Sequence, residues 1–557
     1  MKATILTIFT IAIVMLSESN ASEKKGTKAK KRNVIVTNNP LCTSIAKQLV
    51  SKGGNAREVF IAVSLCEGMV HPMDSGLGGG FQAVYYSKSK GKKTALYINS
   101  REQSPSNASF ADYELIGGNS VGIPSMLKGY ETLYNLDKEN NKLKWSEIIA
   151  PVIKLCDTGF DMSKTTHEAF KSIQNVSHVW DKIINVNMAT KTCKNRLFCK
   201  LLRQISEDGP SSSMYKKGGK LHKLVMEDLS ETTSFITSKD IRNYKVKVKK
   251  PATGKFGKYT VYTTRVPGSG YSVLLALKMM ERVKALMKKD ATQTEKIVYL
   301  LKILKYTYAF QPHIRELRNA TIHKIINKAG KILGTGIVKN GIDISSTIPR
   351  KFGDVKLARM ISPLDFGTTN VVIKIGHTAI SATSTINHTF GSGILSKTMG
   401  FFYNNQMRDF SDANWRRKGK PLRNAPGPNK VPSSKISGTI MVDEDGKPVF
   451  QIGAAGGGKI LSAIVNTLYN YFVLNYSLEK AVQTCRFMPK FNYHKNHVTY
   501  MYECMREEDV ANQLRAKGVD FQLVVESGYS AATALSQIRS KSEAAYDKRR
   551  GGKALLS

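Results

Sequence analysis

Acidic side chains are in short supply in this sequence. Its 557 residues carry 43 Asp and Glu against 84 Lys and Arg, a net charge of +41. An excess of this kind keeps a chain soluble and draws it towards anions. The other marks of a nucleic-acid binder are missing: the lysine-rich runs at 24–32, 88–93 and 245–258 show no pattern of interleaved aromatics and no nucleic-acid motif. They read as solvated surface, with an anionic surface or glycan as the sharper alternative. Long apolar runs are absent after the first residues, which excludes an internal membrane-spanning helix. Cysteine is sparse, seven residues without a Cys-x-x-Cys spacing, so the usual basis for a structural zinc site is missing. No metal and no organic cofactor is expected. The glycine run 453–458 continues as Lys459-Ile460 and lacks the Gly-Lys-Ser/Thr ending of a phosphate-binding loop. No internal repeat is visible, which excludes solenoids and propellers.

What is present begins with a secretory signal at 1–21. Lys2 precedes an apolar run at 3–16, and Ser19-Asn20-Ala21 is a small-residue cleavage site. An uncleaved anchor is the alternative; secretion is the expectation. A basic, low-complexity arm follows at 22–36. Seven cysteines in a secreted chain suggest disulfides with one left over. Cys42 and Cys66 flank two short helices, Cys193 and Cys199 suit a tight loop, Cys485 and Cys504 face each other across a loop, and Cys156 is odd. Buried free thiols remain open for any single pair. Sequons stand at Asn107, Asn175, Asn319, Asn387 and Asn475, each weak evidence of glycosylation. With 41% hydrophobic residues the chain has ample material for a large core. Helices are expected at 44–51, stopped by Gly53-Gly54, and from an Asn55 cap to Cys66. Strands are expected at 81–86 and 94–99. The stretch 120–330 is mostly helical in period, for example 146–156 and 270–287. From 368 onward the texture turns to β-hairpins and glycine loops.

One hairpin can be read to the residue. Two β-prone runs, 368–375 and 378–385, are joined by Gly376-His377, and glycine first in a two-residue loop suits a type II′ turn. The turn pairs Ile375 with Thr378, and the register then sets Thr368 opposite Thr385, with Cβ atoms about 5 Å apart. Asn387 lies two residues on, on the same face if the strand continues. Threonine pairs across strands are common packing, so this pair gains meaning only in context.

The context is a series of motifs. Asp365-Phe-Gly-Thr-Thr-Asn370, Ser381-Ala-Thr-Ser-Thr-Ile-Asn387, Phe390-Gly-Ser392, Asn404-Asn-Gln-Met-Arg-Asp-Phe-Ser411, Pro432-Ser-Ser434 and Gly453-Ala-Ala-Gly-Gly-Gly-Lys-Ile460 resemble, in order, the small subunit of γ-glutamyltransferases. Pro40-Leu41, Lys52-Gly-Gly-Asn-Ala56, Ser75-Gly-Leu-Gly-Gly-Gly80, Ser100-Arg-Glu-Gln-Ser-Pro105 and Ser120-Val-Gly-Ile-Pro124 resemble the large subunit, and Arg549-Arg-Gly-Gly-Lys553 the chain end. The resemblance spans nearly the whole mature chain and is closer to the animal enzymes than to most bacterial ones.

The resemblance implies an α+β fold, the αββα sandwich of N-terminal-nucleophile hydrolases, formed jointly by a large subunit (37–367, after the arm) and a small subunit (368–557). It implies autocatalytic cleavage between Gly367 and Thr368, and disulfides Cys42–Cys66 and Cys193–Cys199. The substrates would be glutathione and other γ-glutamyl compounds, with water, amino acids or dipeptides as acceptors. Thr368 would be the nucleophile and its freed α-amine the base, since an α-amine titrates near 7.7–8.0. Thr385 would orient it. Gly456 and Gly457 would supply oxyanion N–H groups. Arg101, Ser433 and Ser434 would take the substrate α-carboxylate, and Asp409, Asn387 and Gln406 its α-ammonium. Three positions depart from the family pattern: Asn370 replaces a His, Val372 a Ser and Lys435 an apolar residue. Together with the +41 charge they motivate a rival expectation, a catalytically impaired homologue kept as a cationic secreted binding protein.

Overall fold

The computed structural model of the chain describes residues 33–107, 116–173, 180, 183–316, 319–339, 367–411, 416–417, 420–492, 496–503, 508–523 and 530–557. The signal expected at 1–21, most of the basic arm, Asn175 and Cys504 lie outside them. The arm ends earlier than its composition suggests. Asn33-Val-Ile-Val-Thr37 forms strand β1 (Asn33–Thr37), because three consecutive β-branched residues suit a pleat covered on both faces, and all three are fully buried.

That strand belongs to the first of two antiparallel sheets. Its other members are β2 (Gly80–Ser89), β3 (Lys92–Ser100), β4 (Lys247–Lys249), β7 (Gly367–Ile375), β8 (Thr378–Asn387) and β13 (Lys553–Leu556). The order across the sheet is β13-β1-β7-β8-β2-β3-β4. The second sheet consists of β5 (Ala252–Phe256), β6 (Tyr259–Thr263), β9 (Thr439–Val442), β10 (Pro448–Ala455), β11 (Ala531–Ser536) and β12 (Glu543–Tyr546), in the order β12-β11-β10-β9-β6-β5. The sheets pack face to face through β7, β8 and β1 against β10 and β11. Small and polar side chains let them approach: Ser381 Oγ donates to the Ile452 carbonyl at 2.9 Å.

Helices cover both outer faces. On the first sheet lie α1 (Pro40–Ser51) and α2 (Ala56–Val70), backed by α3 (Trp145–Thr158) and α4 (Arg196–Asp208). Asn55 caps α2 with a reciprocal bond to Glu58, the capping box that satisfies two otherwise orphaned N–H groups. On the second sheet lie α5 (Gly270–Leu286) and α8 (Ile460–Phe472), with α6 (Gln293–Glu316) and α7 (Asn319–Lys339) packed against α5. The result is an αββα sandwich with one large apolar cluster in each outer layer. Segments before and after Gly367 contribute strands to both sheets, so neither half of the chain completes a sheet alone. No helix among the described residues is long and apolar enough to cross a membrane.

The disulfides correct one expectation. Cys42–Cys66 joins α1 to α2. Cys199 pairs with Cys156, not with Cys193. Six residues looked like a tight loop, but Cys193 lies in a short strand and Cys199 one turn inside α4, on the side packed against α3. Helix packing brings the Cys156 and Cys199 Cα atoms to 5.5 Å, well within bridging range. Among the described residues Cys193 is the buried free thiol, and burial pushes its pKa up to about 12. Cys485 is disulfide-bonded as well.

Candidate active site

The β7–β8 hairpin has the register read from its turn. Ile375 pairs with Thr378 and Thr368 with Thr385, while Gly376 takes a positive φ of 56° at the turn. The two threonine hydroxyls lie 3.4 Å apart. Thr385 Oγ1 donates to the Gly367 carbonyl at 2.5 Å and accepts the Asn387 N–H at 2.7 Å. The ladder slips between Gly367 and Thr368, setting Asn387 opposite Gly367. Asn387 adopts φ +79° there, in place of the plain strand continuation, and its amide donates to the Asn405 carbonyl at 3.0 Å.

Thr368, Thr385, Asn387, Arg101, Asp409, Ser433, Ser434 and Gly457 all line one cavity. Arg101 comes from the end of β3 in the first half of the chain and Asp409 from a short 3₁₀ turn in the second. They form an ion pair of 2.5 Å across the cavity wall. Gln406 does not line the cavity; its Nε2 donates to Asp409 Oδ2 at 2.7 Å, so it bears on the cavity through Asp409. Ser433 and Ser434 are anchored by their main chains, the Ser433 N–H to Asn424 Oδ1 at 2.8 Å and the Ser434 N–H to the Pro267 carbonyl at 2.8 Å.

The glycine turn precedes α8 and points the positive end of a helix dipole at the cavity. Gly457 and Gly458 form the wall, whereas Gly456, the other expected donor, does not. Gly456 has φ +113°, and a Cβ there would stand 2.8 Å from Ser530 Cα, so it packs behind the turn. Tyr308 pins the turn, donating to the Gly458 carbonyl at 3.0 Å and accepting the Ser462 N–H at 3.0 Å.

The three departures from the family pattern are accommodated. Asn370 Nδ2 donates to the Ala382 carbonyl at 2.7 Å and to Thr383 Oγ1 at 2.8 Å, and its Oδ1 accepts the Thr533 hydroxyl from the second sheet. Val372 packs with Val34, Val36 and Leu535 between the sheets. The Lys435 ammonium lines the cavity, donates to Gln311 and sits 5.3 Å from the Tyr308 ring centroid.

Sequence reasoning missed four residues. Arg315, near the end of α6, lines the cavity, and no local signal marks it. Asp74 and Arg550 grip the main chain of Thr368: the Asp74 carboxylate accepts the Thr368 N–H, and Arg550 donates to the Thr368 carbonyl at 3.3 Å. Both adjoin motifs that were singled out, the glycine run from Ser75 and the Arg549-Arg550 pair. Glu102, next to Arg101, is fully buried, and burial pushes its carboxyl up to about 7 against the pull of Arg101. Among the described residues no His/Cys/Asp/Glu cluster could hold a metal ion.

The arrangement offers a hydroxyl nucleophile, donors for a developing oxyanion, and an Arg–Asp pair that a zwitterionic head group could enter. Comparisons with known proteins give the family. Glutathione hydrolase 3 of Arabidopsis thaliana is 26% identical over 472 residues, covering 81% of this chain and 72% of that protein. The glutathione hydrolase proenzyme of Bacillus subtilis is 27% identical, covering 90% of this chain and 87% of its own. The structure of cephalosporin acylase from Bacillus halodurans superposes with a TM-score of 0.77 over 94% of this chain and 96% of that one, at 16% identity, which shows a shared fold. The family model described as gamma-glutamyltranspeptidase matches residues 42–557; with the sandwich and the threonine-bearing cavity already in view, the chain belongs to the γ-glutamyltranspeptidase family.

Proposed function

We propose that this chain is a self-processing glutathione hydrolase and γ-glutamyl transpeptidase with Thr368 as its nucleophile. In the first step Thr368 Oγ1 attacks the Gly367 carbonyl carbon. The C–N bond breaks, an ester forms, and the hydroxyl proton passes to the departing nitrogen. Water then hydrolyses the ester, leaving a carboxylate on Gly367 and a free amine on Thr368. The Thr385 hydroxyl bonded to the Gly367 carbonyl supports this reading, since a donor there stabilises charge that develops on that oxygen.

In the second step the Thr368 amine takes the hydroxyl proton as Oγ1 attacks a γ-glutamyl carbonyl. The oxyanion faces the N–H groups of the glycine turn. The amine of the leaving group, cysteinylglycine in the case of glutathione, departs with that proton. Water, an amino acid or a dipeptide then takes the γ-glutamyl group from the ester. Arg101 binds the substrate α-carboxylate bidentately, with Ser433 and Ser434 beside it. Asp409, held by Gln406 and joined by Asn387, receives the α-ammonium.

The observation that carries the reading is the Arg101–Asp409 pair in the same cavity as Thr368. A γ-linked glutamate presents a carboxylate and an ammonium on one carbon, the complement of that pair. The expected signal at 1–21 makes the enzyme extracellular, and the +41 charge lets it associate with anionic surfaces. The rival idea of an idle binding protein leaned on the +41 charge and on three departures, and the side chains of those three are hydrogen-bonded or packed. The test is a denaturing gel of the secreted protein beside Thr368→Ala, with N-terminal sequencing of any small fragment. A fragment that begins at Thr368, absent from the variant and accompanied by hydrolysis of a γ-glutamyl anilide, supports the reading. An intact chain in both, without hydrolysis, sinks it.

A further inference from the structure

The nitrogen of Thr368 has a buried carboxylate partner outside the substrate cavity. Asp74 lies between the end of α2 and the glycine run that opens β2, and it accepts the Thr368 N–H. Arg550, in the turn before β13, donates to Asp74 Oδ2 at 2.5 Å and to the Thr368 carbonyl at 3.3 Å. Two segments from opposite ends of the chain therefore close a ring around the main chain of one residue. The Asp74 end is tied to the strand that carries Thr385: the Ile386 N–H bonds the Asp74 carbonyl at 3.3 Å, and the Phe390 N–H bonds the Met73 carbonyl at 2.9 Å. A carboxylate in so dry a place is costly unless partnered, and a fold that needed only a filler there could use an uncharged side chain.

We propose that Asp74, with Arg550 behind it, is a positioning residue that holds the Thr368 nitrogen beside its own hydroxyl and sets the charge around it. The inference rests on the reading that self-cleavage turns this nitrogen into the amine that acts as base. In the uncut chain the amide donates to Asp74. In the cut chain the same atom keeps hydrogens to donate, and in its protonated form it meets the carboxylate as an ion pair. A rotating N-terminal amine is thereby held in one orientation.

The two partners pull the amine in opposite directions. A carboxylate beside an ammonium favours the protonated form and a guanidinium opposes it. Burial pushes the Asp74 carboxyl up, while Arg550 and then His71 pull it down. The other charged groups nearby are few. His71 is paired with Glu67 at 3.0 Å. On the cavity side of Thr368 stand the Arg101–Asp409 pair, Arg315 and Lys435.

The test is the pH dependence of kcat/KM on a γ-glutamyl anilide for the processed wild type, Asp74→Asn and Arg550→Gln. Removing the anion should move the acid limb to lower pH by about one unit, and removing the cation should move it to higher pH by a similar amount. Packing damage alone would lower rates without moving the limb in opposite senses. Limbs that stay put, or that move the same way in both variants, overturn the inference. If Asp74→Asn fails to accumulate as folded protein by thermal melt, the upward shift in Arg550→Gln decides alone. A wild type without γ-glutamyl activity would sink the parent reading and this inference together; an active wild type with unmoved limbs would sink the inference only.

Discussion

Two Arg–Asp pairs in this chain look alike on paper and differ in what surrounds the carboxylate. Arg486 and Asp547 pair beside the second sheet, where Asp547 follows β12, and the Asp547 side chain is 1% exposed. Arg486 also reaches the Ser530 carbonyl and hydroxyl and the Val482 carbonyl, while Asp547 accepts from the Ala532 N–H and from Arg549. Arg101 is buried as deeply, but Asp409 is 24% exposed and faces the cavity. One pair is enclosed and its anion saturated; the other keeps an open side where a ligand can enter. A pair that must part to receive a zwitterion has to be left accessible, and the accessible pair lies beside the nucleophile.

The comparison can be broken by substitution. Thr368→Ala should have the largest effect, abolishing self-cleavage and lowering anilide hydrolysis by about 1,000-fold or more, measured by gel and single-turnover assay. Arg101→Met should lower kcat/KM by about 100-fold or more and leave the melting temperature nearly unchanged. Arg486→Met should do the reverse, losing roughly 3 kcal/mol of stability by leaving the buried Asp547 with Arg549 as its remaining cation, with a smaller effect on KM in the folded fraction. Equal effects of the two arginine variants on melting and on KM would erase the distinction. Cys156→Ser should cost about 2–4 kcal/mol, and non-reducing peptide mapping should recover Cys156 linked to Cys199 with Cys193 alkylated only after unfolding.

The smallest effects concern pH, and there two buried carboxyls have opposite signs. Burial alone would raise Asp547, but Arg486 and Arg549 hold it below the ordinary carboxylate value. Its contribution is therefore full above the unfolded value of about 3.9 and is lost as pH falls through the lower folded value. Glu102 sits at about 7 in the folded chain, so the folded state holds its proton longer than the unfolded one. Stability from this group declines as pH rises from about 4.5 towards 7. Urea midpoints across pH 4.5–7.5 should show less decline in Glu102→Gln than in the wild type, and an equal decline would remove Glu102 as the cause.

Much of the site was legible before any coordinates, for local reasons. A two-residue turn with glycine first dictates its own register, so the opposition of Thr368 and Thr385 follows from Gly376-His377. The cap at Asn55 and the end of α1 at Ser51 follow from side chains a few residues apart, whereas α1 starts at Pro40, before the expected 44, and α2 runs past Cys66 to Val70. The errors came from distance along the chain or from the detailed path of the main chain. Cys193 is nearer to Cys199 in sequence, yet Cys156 is nearer in space because α3 packs on α4. Of the two adjacent glycines, Gly457 lines the cavity and Gly456 stands next to it against Ser530, a difference that their shared motif does not reveal. The strand at 33–37 was hidden by the lysines before it, although Val34, Ile35 and Val36 carried its signal.

By itself, then, the sequence determined the threonine hairpin through its turn chemistry, and through short motifs resembling one family it pointed to the αββα class and to most of the residues that line the cavity. Only the tertiary structure decided which cysteines join, which glycines face the cavity, and that Asp74 and Arg550 meet at Thr368 from 476 residues apart. Contacts of that range leave no local trace, since the entropy of closing so long a loop is met by the packing of both sheets and is recorded in no single stretch of sequence.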